Sequence, residues 1–357
     1  MAVILSARRT AVVPKGGAFR RLSLEDLAVP VLRTCLVDAG LVTVDEVICA
    51  NAIGPGGNPA RRVALAAGLD ERVAGLTIDR QCAGGLDAVL LAAALVDAGQ
   101  ADVVLAGGVE SFSRRPLRQM TDPDGGPPVP YDQAPFTPWP DRDPAMAEAA
   151  ARLADDWGLD RRAQEDWAMA SHAKALAIPD WPEIVPLCGQ GRDAFARPLS
   201  ARLAARAQVV AGSVTTATTA VAADAAAFCV VAADRFAGAG ALRIVASRTL
   251  GAVPDQPGLA PLPAIKAVLG RAGLGPDDVT LAEVMEAYAA QAMACVQGAG
   301  LDPLRVNRGG GALARGHPIG ASGAILAVRL FHSLAQGYGL AAIASAGGIG
   351  SALLVQR

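Results

Sequence analysis

The stretch Arg80-Gln81-Cys82-Ala83-Gly84-Gly85-Leu86-Asp87-Ala88 follows a short strand-like run, Leu76 to Asp79, and leads into a long apolar segment. The change of pattern predicts a strand, a tight turn and then a helix from Leu86 to Asp97. A sulfur at that turn would lie near the first free N–H groups and the positive end of the helix dipole, which favours thiolate over thiol. Cys82 is therefore the candidate nucleophile of the chain.

The helix and strand that follow this turn occur twice. Residues 84–111 predict a helix, a turn at Ala98-Gly99 and an apolar strand that leads into Gly107-Gly108. Residues 320–351 predict the same order, with a helix from Ala324 to Leu334, a strand from Leu340 to Ala344 and then Gly347-Gly348. Such an internal repeat indicates two similar α/β halves, each a sheet covered by helices.

The region between the two copies has a different character. Residues 114–144 contain nine prolines and two glycines, and this composition predicts a loop without regular elements. Residues 145–177 are rich in alanine and charged side chains at helical spacing. A loop region of this length is more often functional than not.

A second dense site lies near the end of the chain, where His317 stands between glycines in Arg315-Gly316-His317-Pro318-Ile319-Gly320. Glycines permit close backbone approach, and Pro318 restricts the backbone after the imidazole. An imidazole within reach of Cys82 would take its proton or polarise a thioester carbonyl. The other two histidines, His172 and His332, lie in helical segments, where surface or packing roles are expected.

Composition excludes several classes of protein. The chain has 357 residues, 52% of them hydrophobic, and a net charge of −2. Its basic residues are scattered, which argues against nucleic acid as a partner. The apolar run of residues 209–223 is rich in threonine and ends at Asp224, short of the roughly 20 apolar residues of a membrane span. The histidines and cysteines lack metal-ligand spacing, so no metal is expected.

The six cysteines have no paired C-x-x-C spacing, and the order of charge and hydrophobicity at the N-terminus is the reverse of a secretory signal. These features favour a reducing compartment, and the expected location is the cytoplasm. The five cysteines other than Cys82 are expected to pack in the core because their surroundings are apolar. They are Cys35, Cys49, Cys188, Cys229 and Cys295.

Four motifs in order resemble the thiolase family, with a match that runs from Val3 to the C-terminus. They are the nucleophile motif around Cys82, Gly57-Asn58-Pro59-Ala60-Arg61, Ala106-Gly107-Gly108-Val109-Glu110-Ser111 and the histidine motif Arg315 to Gly323. The resemblance implies a duplicated five-layer α-β-α-β-α fold with an inserted loop domain that embraces coenzyme A. It implies an N-terminal half of residues 1–115 plus about 224–240, an insertion of 116–223 and a C-terminal half of 241–357.

The resemblance also implies a chemistry. Cys82 would take an acyl group from an acyl thioester, His317 would activate it, and backbone N–H groups near Cys82 and Gly348 would form an oxyanion hole. Coenzyme A thioester would be a substrate, with no permanently bound cofactor, and the protein would be a homodimer or homotetramer. The implied substrate-binding positions are Met146, Ser213 and Tyr288.

The sequence departs from the family pattern at two catalytic positions. Thiolases have an asparagine before Glu-Ala-Phe-Ala, where this chain has Met285 followed by Glu286-Ala287-Tyr288-Ala289. Gapless matching places Ala344 where the second catalytic cysteine is expected, and a shift by one places Ser345 there. Neither side chain supplies a thiolate. Because general acid/base catalysis is commonly worth about 10²–10⁴ in rate, carbon–carbon bond formation by the usual route is expected to be slower by that factor.

Three interpretations follow. The preferred one is a thiolase-family acyltransferase that forms acyl-Cys82 from an acyl thioester and passes the acyl group to an acceptor other than a simple enolate. The carrier would be coenzyme A or an acyl carrier protein. The second is considered because the substrate region departs from the family pattern, so its contacts with coenzyme A are expected to differ. The alternatives are an ordinary acetyl-CoA acetyltransferase or 3-ketoacyl-CoA thiolase with a substitute base, and a catalytically silent subunit.

Overall fold

The computed structural model describes all residues, 1–357. Most of the chain lies in strands and helices that alternate along each half. The strands are β1 (Ala2–Arg9), β2 (Val13–Pro14), β3 (Glu46–Ala50), β4 (Ala74–Ile78), β5 (Val103–Ser111), β6 (Arg118–Met120), β7 (Val129–Tyr131), β8 (Val209–Ala211), β9 (Val214–Thr215), β10 (Ala223–Ala233), β11 (Leu242–Gly251), β12 (Val279–Val284), β13 (Tyr338–Ser345) and β14 (Ile349–Gln356).

Ten α-helices accompany these strands. They are α1 (Leu24–Asp38), α2 (Pro59–Ala66), α3 (Gly84–Asp97), α4 (Met146–Asp156), α5 (Arg161–Ala177), α6 (Ala201–Ala205), α7 (Pro261–Ala272), α8 (Ala289–Gly298), α9 (Ala312–Arg315) and α10 (Ile319–Ser333). None of the helices has both the length and the apolar composition needed to cross a membrane.

The strand pairing shows that the chain is duplicated. The main sheet has the order β12-β13-β14-β11-β1-β10-β5-β3-β4. In the N-terminal half β3 is parallel to β5, which is antiparallel to β10, which is antiparallel to β1. In the C-terminal half β12, β13, β14 and β11 follow in the same order and with the same directions. The two halves meet where β1 pairs with β11 at Val3 and Ile4.

Three buried clusters define five layers. In the first, α3 and α10 pack between the strands of the two halves, with Leu86, Ala324, Val104 and Leu353 among its members. The second packs α1 and α2 on the outer face of the N-terminal half, and the third packs α7 and α8 on the outer face of the C-terminal half. The order α-β-α-β-α follows, with the helices of Cys82 and His317 in the central layer.

The structure corrects several boundaries expected from the sequence. Helices α3 and α10 begin at Gly84 and Ile319, before the expected starts, because the small residues there adopt helical geometry when packed. The proline-rich residues 114–144 do contain regular structure, a short antiparallel hairpin of β6 and β7. Cys188 is exposed on a tight turn, where it has a φ of +49°, and so it does not pack in the core.

Candidate active site

Cys82 is presented by a sharp turn between β4 and α3. It lies in one 3-10 turn, Gln81–Ala83, and Gln81 has a φ of +47°, which side-chain-bearing residues rarely adopt. Both the backbone N–H and the side-chain amide of Gln81 donate to Asp79 Oδ1, at 2.9 and 3.0 Å. These bonds hold the strained backbone that turns Cys82 towards a cavity.

Backbone contacts fix the position of the loop that carries His317. Its N–H donates to Val221 O at 2.7 Å, which ties the histidine loop to the segment that leads into β10. The preceding Gly316 has a φ of +113°, and a Cβ there would lie 2.9 Å from the Ala223 Cβ. Only glycine fits this close approach without strain.

The structure brings the sulfur and the imidazole together from opposite halves of the chain. His317 Nε2 lies 3.1 Å from Cys82 Sγ, and His317 Nδ1 lies 2.7 Å from Ser322 Oγ. The Ser322 hydroxyl donates its proton to Pro318 O at 3.0 Å, so its oxygen accepts from Nδ1–H. Nε2 therefore presents a lone pair to the thiol, as a general base requires.

The resting pair is neutral. Burial raises the pKa of the Cys82 thiol to about 12, and the N–H groups of Cys82 and Ala346, which act on the sulfur, offset only part of this effect. Burial also lowers the pKa of His317 to about 4. The expectation that the turn alone would favour a thiolate is thus corrected, because desolvation outweighs the nearby N–H groups. Attack by this sulfur would require its proton to move to an acceptor, and His317 Nε2 is the neighbouring one.

The backbone donor from the last glycine cluster is Ala346. Its N–H acts on the Cys82 sulfur, and Ala346 lines the same cavity. Gly348, the expected donor, lies outside the lining, and its carbonyl accepts from Ala252 N at 2.6 Å. The residue that directly follows β13 therefore takes the place that sequence reasoning gave to Gly348.

A cavity of about 270 Å³ adjoins the pair, and its lining is mostly apolar. Met146, Tyr288 and Ala344 line it together with Cys82 and His317. Gln133, another lining residue, is exposed, so the cavity reaches the molecular surface. The cavity thus connects the Cys82 sulfur and the His317 imidazole to the side of the molecule where Gln133 is exposed.

Two residues singled out from the sequence do not line this cavity. Ser213 instead accepts a hydrogen bond from Gln164 Nε2 at 2.9 Å. Met285 is 1% exposed and packs in the central core. Ser345, the alternative position for a second base, does line the cavity, but its hydroxyl donates its proton to Arg80 O at 3.0 Å.

Sequence reasoning missed two residues that act on the pair. Ser322 orients the imidazole, and Ala346 supplies an N–H towards the sulfur. Ser322 is signalled by its place in the histidine motif, one turn into α10, where a hydroxyl can reach back to His317. Ala346 carries no signal in its side chain, because its contribution comes from the backbone alone.

Family models match nearly the whole chain. The thiolase N-terminal domain model matches residues 2–235, and the thiolase C-terminal domain model matches residues 240–357. Among relatives, YhfS of Bacillus subtilis is 39% identical over 374 residues, with 99% of both chains covered. VraB of Staphylococcus epidermidis is 34% identical, with 99% of this chain and 98% of that protein covered. Both relatives are provisionally named acetyl-CoA C-acetyltransferases.

Solved structures agree with this assignment. The Acat5 thiolase from Ascaris suum, in complex with coenzyme A, has a TM-score of 0.91 at 28% identity, with 100% of this chain and 99% of that chain covered. The acetyl-CoA acetyltransferase from Bacillus anthracis has a TM-score of 0.89 at 31% identity, with 99% and 98% covered. The chain, with its duplicated five-layer fold and its paired thiol and imidazole, belongs to the thiolase family of acyltransferases.

Proposed function

We propose that this protein forms an acyl-enzyme on Cys82 from an acyl thioester and transfers the acyl group to an acceptor. The observation that carries the proposal is the 3.1 Å contact between Cys82 Sγ and His317 Nε2 beside a cavity open to the surface. A nucleophile, a base oriented by a third group and backbone donors are the minimum that acyl transfer needs.

The first half-reaction forms a bond from Sγ to the thioester carbonyl carbon while the thiol proton moves to His317 Nε2. The carbonyl oxygen becomes an oxyanion within reach of the N–H groups of Cys82 and Ala346. The carbon–sulfur bond of the donor then breaks, and the imidazolium returns its proton to the departing thiolate. In the second half-reaction the acceptor gives its proton to His317, attacks the acyl carbon and releases Cys82 as a thiol.

The lining favours an acceptor that needs no strong base. Its titratable groups are Cys82, Tyr288 and His317, and Ala344 contributes only a methyl group where a second thiol is expected. Burial, with a smaller effect from Cys82, raises the pKa of Tyr288 to about 12, so the phenol keeps its proton at neutral pH. We propose an amine, an alcohol or an already activated carbon nucleophile as acceptor.

An ordinary thiolase reaction is the second candidate. The names of the relatives and the coenzyme A complex of the Ascaris suum thiolase favour it. Deprotonation of an acetyl methyl would then need His317 or the substrate itself as base, because the phenol of Tyr288 keeps its proton. A catalytically silent subunit is the third candidate, and the absence of any acyl transfer from Cys82 would select it.

We propose coenzyme A thioesters as donors, with an acyl carrier protein as the alternative carrier. Phe136, Met146 and Leu153 line the cavity and belong to residues 116–223, which supports a substrate-binding role for that segment. We propose a cytoplasmic location, supported by six free cysteines. A homodimer or homotetramer is proposed from exposed apolar side chains on the edge strand β4 and on the hairpin of β6 and β7.

Release of free coenzyme A separates the candidates. Acetyl-CoA alone should give one rapid equivalent of coenzyme A per site and then a slow phase that a suitable amine or alcohol acceptor accelerates. Acceleration by a second acetyl-CoA, or cleavage of acetoacetyl-CoA at thiolase-like rates, would support the ordinary thiolase instead. No release with any donor would contradict both enzymatic candidates.

A further inference from the structure

Glu110, at the end of β5, is fully buried next to the active site but does not line the cavity. Its carboxylate accepts hydrogen bonds from the loop after β3, which itself bonds to the end of β4 before Cys82, and from the helix that follows His317. We propose that Glu110 is a positioning residue that sets the distance between the Cys82 sulfur and the His317 imidazole. The proposal rests on the function proposed above and adds a residue that acts through the catalytic pair without touching substrate.

On the cysteine side, Glu110 binds the loop after β3. Asn51 Nδ2 donates to Glu110 Oε1 at 2.8 Å, Ala52 N donates to Oε2 at 3.0 Å, and Ile53 N lies 3.3 Å from both oxygens. Asn51 N in turn donates to Ile78 O at 3.1 Å. Ile78 is the last residue of β4, four residues before Cys82, so this loop supports the turn that carries the nucleophile.

On the histidine side, Glu110 binds the start of α10. Gly320 N donates to Glu110 Oε2 at 3.0 Å, and Gly320 is three residues after His317. A carboxylate is favoured at this place because the first N–H groups of a helix are unpaired and its dipole is positive there. The packing leaves little freedom, since a Cβ on Gly108 would lie 2.0 Å from Gly320 O.

Only a carboxylate can accept all of these bonds. Its two oxygens face donors on every side, whereas an amide would turn an NH₂ group towards backbone N–H groups and leave buried donors without acceptors. Glu110→Gln is nearly identical in size, so it removes acceptor capacity and leaves the volume unchanged. Because reaction rates depend steeply on the placement of reacting groups, a small shift of His317 should lower acylation about 100-fold.

The ionisation of Glu110 gives a readout that a purely structural role would lack. Burial raises the pKa of Glu110 to about 7, against the effect of the N–H groups that it binds. Below that pH one oxygen carries a proton and accepts fewer bonds, so acylation should weaken, whereas His317 keeps its neutral form down to about pH 4. The other titratable groups that interact with Glu110 are Cys49, Asp79 and Cys82. Arg118 donates to the carbonyls of Ala52 and Ile53, whose N–H groups bind Glu110.

The test measures the single-turnover rate of Cys82 acylation by acetyl-CoA between about pH 5.5 and 8.5. The wild-type rate should rise with pH through an inflection near 7, the value of the Glu110 pKa. Acylation of Glu110→Gln should be about 100-fold slower at pH 8 and should lack that inflection. The acetyl-CoA concentration that gives the half-maximal acylation rate should change less than about threefold. The matched control is Glu183→Gln, a fully buried carboxylate that contacts Arg9 and Arg329, which should keep the inflection and a rate within about threefold of wild type.

A folded Glu110→Gln variant with the wild-type rate and pH profile would overturn the proposal. If that variant does not fold, a flat wild-type profile through pH 7 would overturn it. If the wild type forms no acyl-enzyme, the proposed function fails separately, and the rate of Cys82 alkylation by iodoacetamide, followed on its peptide, replaces the acylation rate. An alkylation rate with the same pH inflection, slowed in Glu110→Gln, would support the positioning role, and an unchanged rate would contradict it.

Discussion

At the scale of single residues, burial decides the chemical state of the nucleophile. Two backbone N–H groups act on the Cys82 sulfur, its own and that of Ala346, yet burial still raises the pKa of the thiol to about 12. The adjacent imidazole is neutral because burial lowers its pKa to about 4. The thiol and the imidazole are therefore a neutral hydrogen-bonded pair, with Sγ 3.1 Å from Nε2, and not a preformed ion pair.

Ala344 offers the sharpest test of the missing second base. Ala344→Cys places a thiol in the cavity wall near Cys82, where it can deprotonate the methyl group of a bound acetyl thioester. We expect the rate of acetoacetyl-CoA cleavage by this variant to exceed that of wild type by at least about tenfold. The measurement is the steady-state rate of acetyl-CoA formation.

Ser345→Cys is the matched control for Ala344→Cys. The hydroxyl of Ser345 donates to Arg80 O, so a thiol at that position points away from the reacting carbon and should leave the rate near wild type. A larger gain from Ser345→Cys than from Ala344→Cys would show that the register of this strand end is wrong. Equal rates of acetoacetyl-CoA cleavage by wild type, Ala344→Cys and Ser345→Cys would mean that a missing base does not limit this reaction.

The sequence singled out Cys82 and His317 because both stand in motifs rich in glycine, and the structure places their side chains 3.1 Å apart. It was not sufficient for Glu110 and Ser322, whose importance comes from hydrogen bonds that only the folded chain creates. Ser213 was expected from the sequence to bind substrate. In the structure its hydroxyl instead accepts a hydrogen bond from the buried amide of Gln164, which needs a partner.

At the scale of elements, the contact between α3 and α10 brings Cys82 and His317 together. A Cβ on Gly85 would lie 2.7 Å from Gly320 O, and a Cβ on Gly323 would lie 2.3 Å from Leu86 N. The two helices therefore approach backbone to backbone, each with its catalytic residue just before its first turn. Glycine is required here by packing and not by backbone conformation, since both residues are helical.

This contact predicts that Gly323→Ala is destabilising and impairs the enzyme. Overpacking against backbone should lower the free energy of unfolding by about 1–3 kcal/mol or more and should separate Cys82 from His317. Gly270→Ala, in α7, is the control because nothing lies within 4 Å of its added Cβ. It should stabilise the protein by up to about 1 kcal/mol and leave acylation unchanged.

Urea unfolding and single-turnover acylation measure the two effects. A Gly323→Ala variant as stable and as active as Gly270→Ala would contradict the close packing of α3 on α10. The order of helix and strand around this contact was predictable from the repeated pattern of small apolar residues. The helix starts were not, because Gly84 and Gly320 are helical only through the tertiary packing that surrounds them.

At the scale of the whole molecule, duplication places Cys82 in one half and His317 in the other. The repeat was visible in the sequence, and the matching strand orders of the two halves confirm it. The hairpin of β6 and β7 was not predictable, because its two strands have three residues each and stand among prolines. Strands that short carry no usable periodicity.

The exposed edge of the main sheet makes a prediction about assembly. Strand β4 ends the sheet, and Leu76 on it is 38% exposed, so pairing with a second copy would cover both the edge and this side chain. We expect the wild type to be a dimer or tetramer by light scattering and Leu76→Lys to reduce its mass towards the monomer. Val42→Lys, on a loop residue that is 92% exposed, should have no effect. A monomeric wild type, or an unchanged Leu76→Lys variant, would contradict this assembly.

The most direct test of the catalytic assignment is where the acyl group attaches. After brief exposure to acetyl-CoA and acid quench, peptide mass spectrometry should find one acetyl group on the peptide that contains Cys82. Cys82→Ala should abolish that acetyl group, and His317→Gln should slow its formation about 10²–10⁴-fold. An unmodified Cys82 under these conditions, or acetylation that persists in Cys82→Ala, would contradict the account.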